Sequence, residues 1–539
     1  MLYFIPAWYQ QKQWCENEQY WHSRRMHTEF DDTVKHIQLF HRSKAYPFQI
    51  MLLSFAPNFR HFLHRQSVYH APYWSCFDAI QEVRRKKVMV LSFHNLNWPP
   101  HIEFVYTPFL VIALLHGEKY AQIEFGEDGN PIQVDMFQNE KIQRRNIYDD
   151  RGFVSSTIVY EDEKMLYQDY LTEKGIWKLR SFPDGHVEVN PKAREYLLIH
   201  QKEEQIKTFS RLRYESMEAV IGEVLAAYLS LTNHKDLFCV AMHELHTGLL
   251  KEALKDKKMI LSFFSDRYDV NKHSETMDMI DSADYIITDS RENTWKIENG
   301  LGKTLENITD ITPFDSRVDF GISQQLSVQK ILVPVDGLDD DVFEKVIGQI
   351  GRYLLENDNT QVHIFTRQAD FGRKERLLDQ ARQYLKNAGL EEGWVSDMGN
   401  DTISENELDE IETIPVRFFV EQCVDELAVS KCMREQRLII DMRSSAELYL
   451  RIAAISGGIP QIVYTENQFV EHEKNGLVWK DINRLPEAIR YYLDSLTNWN
   501  EAMVYSYELG KKYTTGVLVE EWKEVIDFVR QDSRITTGA

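Results

Sequence analysis

Apolar and polar positions alternate along the chain on the scale of whole elements. Short apolar runs predict buried strands, and the longer amphipathic segments between them predict helices. Strands are predicted in the first part of the chain at 2–5, 49–55, 87–93, 237–242, 259–264 and 285–288. In the second part they are predicted at 330–335, 362–366, 416–420 and 437–440, with helices at 341–356 and 374–386. Strands that alternate with helices predict parallel α/β sheets.

The pattern changes between residues 116 and 192. Turn sequences at 127–131, 149–152 and 183–185 separate short runs of alternating polarity, at about ten-residue spacing. Asp-Gly and similar pairs in such turns favour hairpins between antiparallel strands. We therefore predict that residues 116–192 form an antiparallel β-meander inserted into the first α/β domain.

The stretch 441–480 has the most specific local pattern. A helix is predicted over 445–455, and Gly457-Gly458-Ile459-Pro460 follows it. Glycine and proline end the helix, and a short strand is predicted at 461–464. The turn Asn475-Gly476 then leads to another short strand. This order of elements predicts one more parallel α/β unit.

Composition and charge narrow the range of functions. The chain has 539 residues, 43% of them hydrophobic and 27% charged, as in ordinary globular proteins. Its formal net charge of −22 argues against a general nucleic-acid binder. Residues 1–100 depart from this balance, with 12 lysines and arginines against 7 acidic residues. This excess is either a local surface bias or a face for a membrane surface or an acidic partner. The candidate partner or membrane face consists of Trp8, Tyr9, Trp14, Arg84, Arg85, Lys86 and Lys87.

Cysteine spacing and hydropathy bear on the cellular compartment. Five cysteines are spread over the chain without a Cys-x-x-Cys pair, so we predict neither a disulfide framework nor a metal site. The longest apolar run, 109–115, is far below the ~20 residues of a bilayer span. No apolar region of signal-peptide length follows Met1. These features predict a cytoplasmic protein that contacts a membrane only peripherally.

The helix, the Gly-x-Pro stop, the strand and the Asn-Gly turn of 441–480 together resemble the donor domain of glycosyltransferases with the GT-B fold. The meander is similar to the added sheet of the glycosyltransferases that modify serine-rich adhesins. The resemblance implies an α/β protein with two Rossmann-like domains. The implied domains are a first Rossmann-like domain of 1–115 and 193–320, the insertion 116–192, a second Rossmann-like domain of 321–490, and C-terminal helices of 491–539 that cross back to the first domain.

The residues expected to bind a donor nucleotide are missing. In retaining GT-B enzymes two glutamates on one helix hold the donor. Aligned on Gly-x-Pro, these positions are Ser445 and Ala453. The only carboxylate in 443–461 is Glu447, which we place about 200° around the predicted helix from Ser445. We therefore predict a degenerate donor site.

The phosphate-binding loop is also atypical. The segment 336–341 contains four aspartates and no cation, whereas a diphosphate needs positive charge. Arg367 and Arg373 are the nearest cations after the next strand. His243 and His246 end another strand, where α/β sheets bind ligands, so their role is either sugar binding or structural. The residues predicted to line a relic sugar or donor cleft are His243, His246, Arg443, Ser444, Ser445, Glu447, Gly457 and Gly458.

One family combines these features. Segments 3–9, 148–152 and 444–448, together with Trp522, are similar to the glycosyltransferase-like proteins of the accessory Sec system of Gram-positive cocci. The resemblance covers essentially the whole chain. It implies a non-catalytic protein without a cofactor, which assembles with two other accessory secretory proteins and the accessory Sec motor ATPase. Together they would export a glycosylated serine-rich repeat adhesin.

Two alternatives stay open. The first is an active GT-B glycosyltransferase that acts on a serine-rich protein acceptor and uses His243, Arg443 and Glu447. The second is a lectin-like module in which the meander binds sugar by itself.

Overall fold

Two units make up the described part of the chain. This computed structural model describes residues 1–10, 12–16, 28–200, 203–273, 276–317, 319–395, 415–445 and 447–531. The first unit comprises Met1–Asp289, Asn293–Thr309 and Lys523–Ala539, and the second comprises Ser290–Glu292 and Asp310–Trp522. Most of the acidic segment 391–412 lies outside the described residues.

The strands from the start of the chain to Asp310 belong to three sheets. In chain order they are β1 (Leu2–Ile5), β2 (Phe48–Leu52), β3 (Tyr73–Ser75), β4 (Ile102–Tyr106), β5 (Val111–Leu115), β6 (Glu118–Phe125), β7 (Pro131–Gln138), β8 (Lys141–Asp149), β9 (Phe153–Glu161), β10 (Lys164–Leu171), β11 (Trp177–Ser181), β12 (Val187–Val189), β13 (Glu195–His200), β14 (Glu203–Thr208), β15 (Arg213–Tyr214), β16 (Leu237–Ala241), β17 (Lys258–Phe263), β18 (Tyr285–Thr288) and β19 (Ile308–Asp310).

A seven-stranded sheet forms the centre of the first unit. Its strand order is β19-β18-β17-β16-β1-β2-β3, and β1 pairs in parallel with both β2 and β16. Every residue of β1 and β16 is buried. Strands that are covered on both faces read as continuous apolar runs, which is why these two were predicted close to their observed bounds.

The antiparallel sheet is larger than the predicted meander. Ten strands pair in the order β15-β12-β11-β10-β9-β8-β7-β6-β5-β4. The sheet therefore begins at Ile102, before residue 116, and ends at Tyr214, beyond residue 192. The apolar run 109–115, which we had placed in the first α/β domain, supplies β5. The strands β13 and β14 form a separate pair.

One predicted strand is wrong. Residues 87–93 form no strand, and only a short 3₁₀ turn begins at Phe93. The apolar side chains that suggested the strand, Val88, Met89 and Val90, are 42%, 56% and 84% exposed. An apolar run alone cannot distinguish a buried strand from an exposed segment.

Seven helices are assigned among the described residues up to Leu301. They are α1 (Asp32–Ser43), α2 (Phe59–Arg65), α3 (Cys76–Ile80), α4 (Met217–Leu229), α5 (Thr247–Ala253), α6 (Met277–Ser282) and α7 (Arg291–Leu301). The helix α1 begins after Asp31, whose side chain accepts a hydrogen bond from the Thr33 amide, as an N-cap residue does.

The second unit has a six-stranded parallel sheet. Its strands are β20 (Gln329–Pro334), β21 (Thr360–Thr366), β22 (Phe418–Gln422), β23 (Leu438–Asp441), β24 (Gln461–Val463) and β25 (Gly476–Val478), in the order β22-β21-β20-β23-β24-β25. Its helices, with the last running on into residues of the first unit, are α8 (Asp340–Leu354), α9 (Arg373–Asn387), α10 (Glu426–Met433), α11 (Leu448–Gly457), α12 (Leu485–Leu493), α13 (Leu496–Gly510) and α14 (Thr515–Gln531).

The helix α11 starts later than predicted, and this changes the position of Glu447. Glu447 has extended backbone and precedes the helix, so the angle of about 200° between it and Ser445 around a helix was wrong. The helix ends as predicted, because Gly458 takes the left-handed conformation (φ 66°) that favours glycine. An added Cβ at Gly458 would lie 2.7 Å from Cγ of Met503, so packing also requires this glycine.

Candidate functional site

The candidate donor site lies at the carboxyl edge of the second unit's sheet. Asp336 follows β20, Arg367 follows β21, and Arg443 follows β23. These three strands are neighbours in the sheet, so the segments that follow them lie close together. This edge is where open α/β sheets bind ligands.

Arg443 is held by a buried carboxylate. Its Nε and Nη2 donate to the two carboxylate oxygens of Asp441, both at 2.8 Å, and its Nη1 donates to the Asp336 carbonyl at 3.2 Å. Arg451 Nη2 lies 3.3 Å from the same carboxylate. Burial opposes the charge on Asp441, but Arg443 and Arg451 outweigh it and lower the pKa of Asp441. Arg443 is therefore committed to the structure of this edge.

The other nearby cations are paired in the same way. Arg367 forms an ion pair with Glu447, and Nη2 of Arg373 lies 3.2 Å from a carboxylate oxygen of Asp336. The Asp336 carboxylate also accepts hydrogen bonds from the Thr366 hydroxyl at 2.7 Å and from the Arg367 amide at 2.6 Å. The arginines that could have bound a diphosphate thus face carboxylates of the same edge.

The two positions expected to be glutamates differ in their surroundings. Ser445 is exposed and precedes α11, and Ala453 is half-buried within it. Ser444 is exposed beside Ser445. Neither a serine hydroxyl nor an alanine methyl supplies the charge of a glutamate. At Gly457 an added Cβ would lie 3.2 Å from Cδ1 of Ile459, which indicates a packing role.

The predicted histidines lie in the first unit, at the end of β16. Nδ1 of His246 is 2.8 Å from the Tyr9 hydroxyl, and its Nε2 is 2.7 Å from the Ala241 carbonyl oxygen. The carbonyl can only accept, so Nε2 carries the proton and Nδ1 accepts from Tyr9. His246 is fully buried, and burial lowers its pKa to about 3. These contacts favour the structural role for His246.

His243 is more accessible than His246. It is half-buried, its Nδ1 accepts from the Leu245 amide at 3.1 Å, and its ring centroid lies 5.2 Å from that of Tyr9. Burial, followed by the charge of Arg267, lowers the pKa of His243 to about 4. His243 is therefore a neutral side chain at neutral pH.

A buried charge cluster beside these histidines was missed in the sequence. Arg267 donates from Nη1 to Asp31 and from Nη2 to Asp32, both at 3.1 Å. The Ser262 hydroxyl donates to Asp32 at 2.6 Å. Burial opposes the charge on Asp32, but Arg267 lowers its pKa to about 2, whereas burial and the charge of Asp32 raise the pKa of Asp31 to about 6. The signal was present, because Asp31 and Asp32 begin a helix and Arg267 follows a strand of one sheet.

The candidate partner or membrane face is only partly exposed. Trp8 and Tyr9 are 4% and 5% exposed, so their prediction as surface anchors was wrong: Trp8 packs on Phe62, with ring centroids 4.7 Å apart, and Tyr9 binds His246. Trp14 is half-buried.

The basic cluster is closer to the prediction. Arg84, Lys86 and Lys87 are exposed, although Arg84 lies 3.1 Å from a Glu204 carboxylate oxygen. Arg85 is half-buried and donates to the Arg151 carbonyl at 2.9 Å.

A second missed cluster brings two thiols and a carboxylate together. Glu421, Cys423 and Cys432 offer ligand atoms that all lie within 4.8 Å of one another. Our prediction of no metal site relied on the absence of a Cys-x-x-Cys pair. The spacing Glu-x-Cys at the end of a strand, with a second cysteine on the next helix, was the available signal.

The fold and the altered donor edge define a glycosyltransferase-like protein. The pneumococcal O-GlcNAc transferase GtfA, solved with UDP and GlcNAc, is 12% identical, covers 98% of both chains and superposes with a TM-score of 0.70. At this identity the likeness shows the fold, and it confirms the predicted GT-B class with two α/β units and an antiparallel sheet.

The family is shown by closer relatives. The family model of the first accessory secretory protein of the accessory Sec system matches residues 1–528, and the chain belongs to this family, as the sequence predicted. A curated member from Streptococcus gordonii is 32% identical over 98% of this chain and 100% of the relative. A crystal structure of accessory secretory proteins 1, 2 and 3 from Streptococcus pneumoniae contains a chain that is 28% identical, with a TM-score of 0.79 over 98% of this chain and 100% of that one.

Membrane-spanning helices were searched for as well. None of the helices formed by the described residues is both long and apolar enough to cross a bilayer.

Proposed function

We propose that this protein is a non-catalytic, glycosyltransferase-like component of an accessory Sec system. The observation that carries the proposal is the donor edge of the second unit. Ser445 and Ala453 stand where the two donor-binding glutamates are expected, and Arg443 is bound to Asp441 at 2.8 Å. Membership of the accessory Sec family supports the role in secretion.

A nucleotide diphosphate would have to compete with these internal ion pairs. Freeing the Arg443 side chain would leave Asp441, which is 1% exposed, with one fewer cation. Removing one partner of a buried pair typically costs about 3–5 kcal/mol. The four aspartates of the 336–341 loop would add repulsion. Donor binding at this edge is therefore unfavourable.

The test of the non-catalytic assignment is a donor-turnover assay. Purified full-length protein is incubated with UDP-GlcNAc or UDP-glucose, and released UDP is measured beside the pneumococcal enzyme GtfA as a positive control. We expect no UDP release above that of the Arg443→Ala variant. Donor turnover that Arg443→Ala abolishes would instead establish the alternative, an active GT-B glycosyltransferase with a serine-rich protein acceptor.

The proposal includes assembly with two other accessory secretory proteins. A similar pneumococcal chain was solved in a structure of accessory secretory proteins 1, 2 and 3, which supports this part. We extend it to the accessory Sec motor ATPase and to a glycosylated serine-rich repeat adhesin as the exported cargo. Pull-down from co-expressing cells, with a tagged glycosyltransferase of the same fold as the control bait, should enrich the sister proteins and the ATPase. Their absence would contradict the secretion role.

Cargo contact is assigned to the antiparallel sheet. A cavity of about 460 Å³ is lined by residues 107–111 together with 125–127 and Gly129. Phe109 within it is 55% exposed, and an aromatic ring suits the apolar face of a sugar. Phe109→Ala should weaken binding of a glycosylated adhesin fragment in a titration, whereas Phe528→Ala, at another exposed position of the first unit, should not. Equal affinity of both variants and the wild type would contradict this site.

Peripheral membrane contact is assigned to residues 84–90. Lys86 and Lys87 are exposed, and Val90 beside them is 84% exposed. Basic and apolar side chains together suit an anionic lipid surface. The variant Lys86→Glu/Lys87→Glu should reduce sedimentation with phosphatidylglycerol vesicles, while Lys235→Glu/Lys255→Glu, with the same change in charge, should not. If the two variants sediment alike, the segment is not the contact.

A further inference from the structure

Two cysteines and a glutamate converge at one edge of the second unit's sheet. Glu421 is in β22, the edge strand, and Cys423 directly follows that strand. Side chains two residues apart on an extended strand point to the same face. Cys432 comes from α10, the next helix. One ligand atom from each residue lies within 4.8 Å of the other two.

The surroundings hold this cluster in place. The Cys423 amide donates to the Thr366 carbonyl at 2.9 Å, which fixes the chain where it leaves the sheet. Nδ1 of His363 lies 2.8 Å from a carboxylate oxygen of Glu421 and orients it. Cys423 is 4% exposed, whereas the Glu421 side chain is 37% exposed. The cluster therefore has a buried thiol side and one side open to solvent.

The chemistry of these groups matches a borderline-soft divalent cation. Thiolates and carboxylates are both ligands of Zn²⁺, and thiolates exclude Mg²⁺ and Ca²⁺ as the preferred ions. With Zn–S bonds of about 2.3 Å in tetrahedral geometry, two sulfur ligands lie about 3.8 Å apart. Atoms that already lie within 4.8 Å reach this spacing by small side-chain rotations. A second shell such as His363 is the usual support of a metal-bound carboxylate.

The charges near Cys432 also suit a cation. A hydrogen bond with Cys423, then burial, and then the charges of Cys423, Glu421 and Glu435 raise the pKa of the Cys432 thiol well above its usual value. Each of these effects disfavours a second negative charge in the cluster. A divalent cation reverses this balance, because it binds the thiolates directly.

We propose that Glu421, Cys423 and Cys432 bind one Zn²⁺ ion. Two Zn–S bonds and one Zn–O bond form, two thiol protons are released, and water occupies the fourth, open position. The ion ties the helix α10 to the edge strand β22. This site is independent of the donor edge, so its test does not depend on the secretion role.

The experiment is a metal titration of the full-length protein. The protein is freed of metal with a chelator under a phosphine reductant and titrated with Zn²⁺ against a chromophoric indicator. A parallel titration with Co²⁺ reports sulfur ligands through their charge-transfer band. We expect one equivalent to bind, and the affinity to fall with falling pH by up to about 100-fold per unit, because two protons compete.

Variants assign the ligands. Cys423→Ser and Cys432→Ser should each weaken Zn²⁺ binding by at least about 10-fold and reduce the charge-transfer band. Cys15→Ser, which removes a half-buried thiol of the first unit, is the matched control and should bind as the wild type does. Glu421→Gln should weaken binding but keep the sulfur band, and its partial exposure makes it the variant that tests the site if a serine variant fails to fold.

Three results would overturn the proposal. The first is a folded, reduced wild-type protein that binds no stoichiometric Zn²⁺. The second is Zn²⁺ binding that is unchanged in Cys423→Ser, Cys432→Ser and Glu421→Gln. The third is mass spectrometry showing that Zn²⁺ leaves the alkylation rate of Cys432 unchanged, since a bound thiolate is protected.

Discussion

The Arg443 guanidinium donates to both carboxylate oxygens of Asp441, two residues earlier, at 2.8 Å each. The two side chains are 5% and 1% exposed. A bidentate arginine is the arrangement that would suit a donor phosphate, and here the protein's own carboxylate occupies it. The pair stabilises the end of β23 where a glycosyltransferase would need a free cation.

Replacing this arginine should therefore affect stability more than activity. Arg443→Ala should lower the free energy of unfolding by about 3 kcal/mol, because Asp441 stays buried with only Arg451 near it. Urea unfolding followed by fluorescence measures the change. UDP release should stay at the background of the wild type. A stable Arg443→Ala variant with altered UDP release would contradict this assignment.

An exposed arginine provides the matched control. Arg484 pairs with Glu487 at 2.5 Å, and both side chains are about half exposed. Exposed pairs contribute little because solvent screens them, so Arg484→Ala should leave the urea midpoint close to that of the wild type. A similar loss of stability in both variants would mean that burial of the Arg443 pair is not the cause.

Acid should weaken the second unit through the same pair. The pKa of Asp441 is lower in the folded protein than in the unfolded chain. The unfolded chain therefore binds the proton first as pH falls, and the stabilisation present at neutral pH is lost below the unfolded pKa of about 3.9. Arg443→Ala should flatten this acid dependence of the urea midpoint below about pH 4. An unchanged slope would contradict the role of Arg443.

The parallel strands could be predicted because their sequence signal is local. The runs 2–5 and 237–242 are apolar at successive positions and became the fully buried strands β1 and β16. The run 87–93 has a similar apolar content but is largely exposed. Burial is a tertiary property, so a one-dimensional pattern could not separate these cases.

The candidate site was predictable in its residue types and not in its contacts. The missing glutamates at Ser445 and Ala453 are visible in the sequence. The ion pair between Arg367 and Glu447 joins residues 80 positions apart, and no local spacing encodes such a pair. The later start of α11 followed from the extended backbone of Glu447, which helix periodicity could not reveal.

The pH dependence of the first unit should reveal its buried neutral histidine. His246 has a pKa of about 3 in the folded protein, against about 6.5 when unfolded. Between these values the unfolded chain binds a proton that the folded protein does not, so stability rises with pH and is lost as pH falls from about 6.5 towards 3. His246→Gln should remove about one proton from this dependence, measured by urea unfolding at about pH 5 and pH 7.

The control for this measurement is His234→Gln, at an exposed position of the same unit. Tyr9→Phe gives a complementary result, since it removes the donor to Nδ1 of His246 at 2.8 Å and leaves a buried acceptor unpaired. It should cost about 1–3 kcal/mol at neutral pH. An identical pH slope in His246→Gln and the wild type would show that His246 is not the titrating group.

The glycine of the Asn475-Gly476 turn should prove indispensable for packing and not for backbone flexibility. An added Cβ at Gly476 would lie 2.3 Å from the Gln461 carbonyl oxygen, a backbone atom of the neighbouring strand β24, and 2.6 Å from Val470. Because a backbone atom cannot move aside without disturbing the sheet, Gly476→Ala should destabilise the second unit by about 1–3 kcal/mol or more. Gly516→Ala is the control, since Gly516 lies in α14 with no atom within 4 Å of an added Cβ. Alanine favours the helix by up to about 1 kcal/mol, so this substitution should leave stability unchanged or raise it. Thermal unfolding of the two variants should therefore shift in opposite directions, and a matching shift would show that contact with Gln461 does not determine the residue at 476.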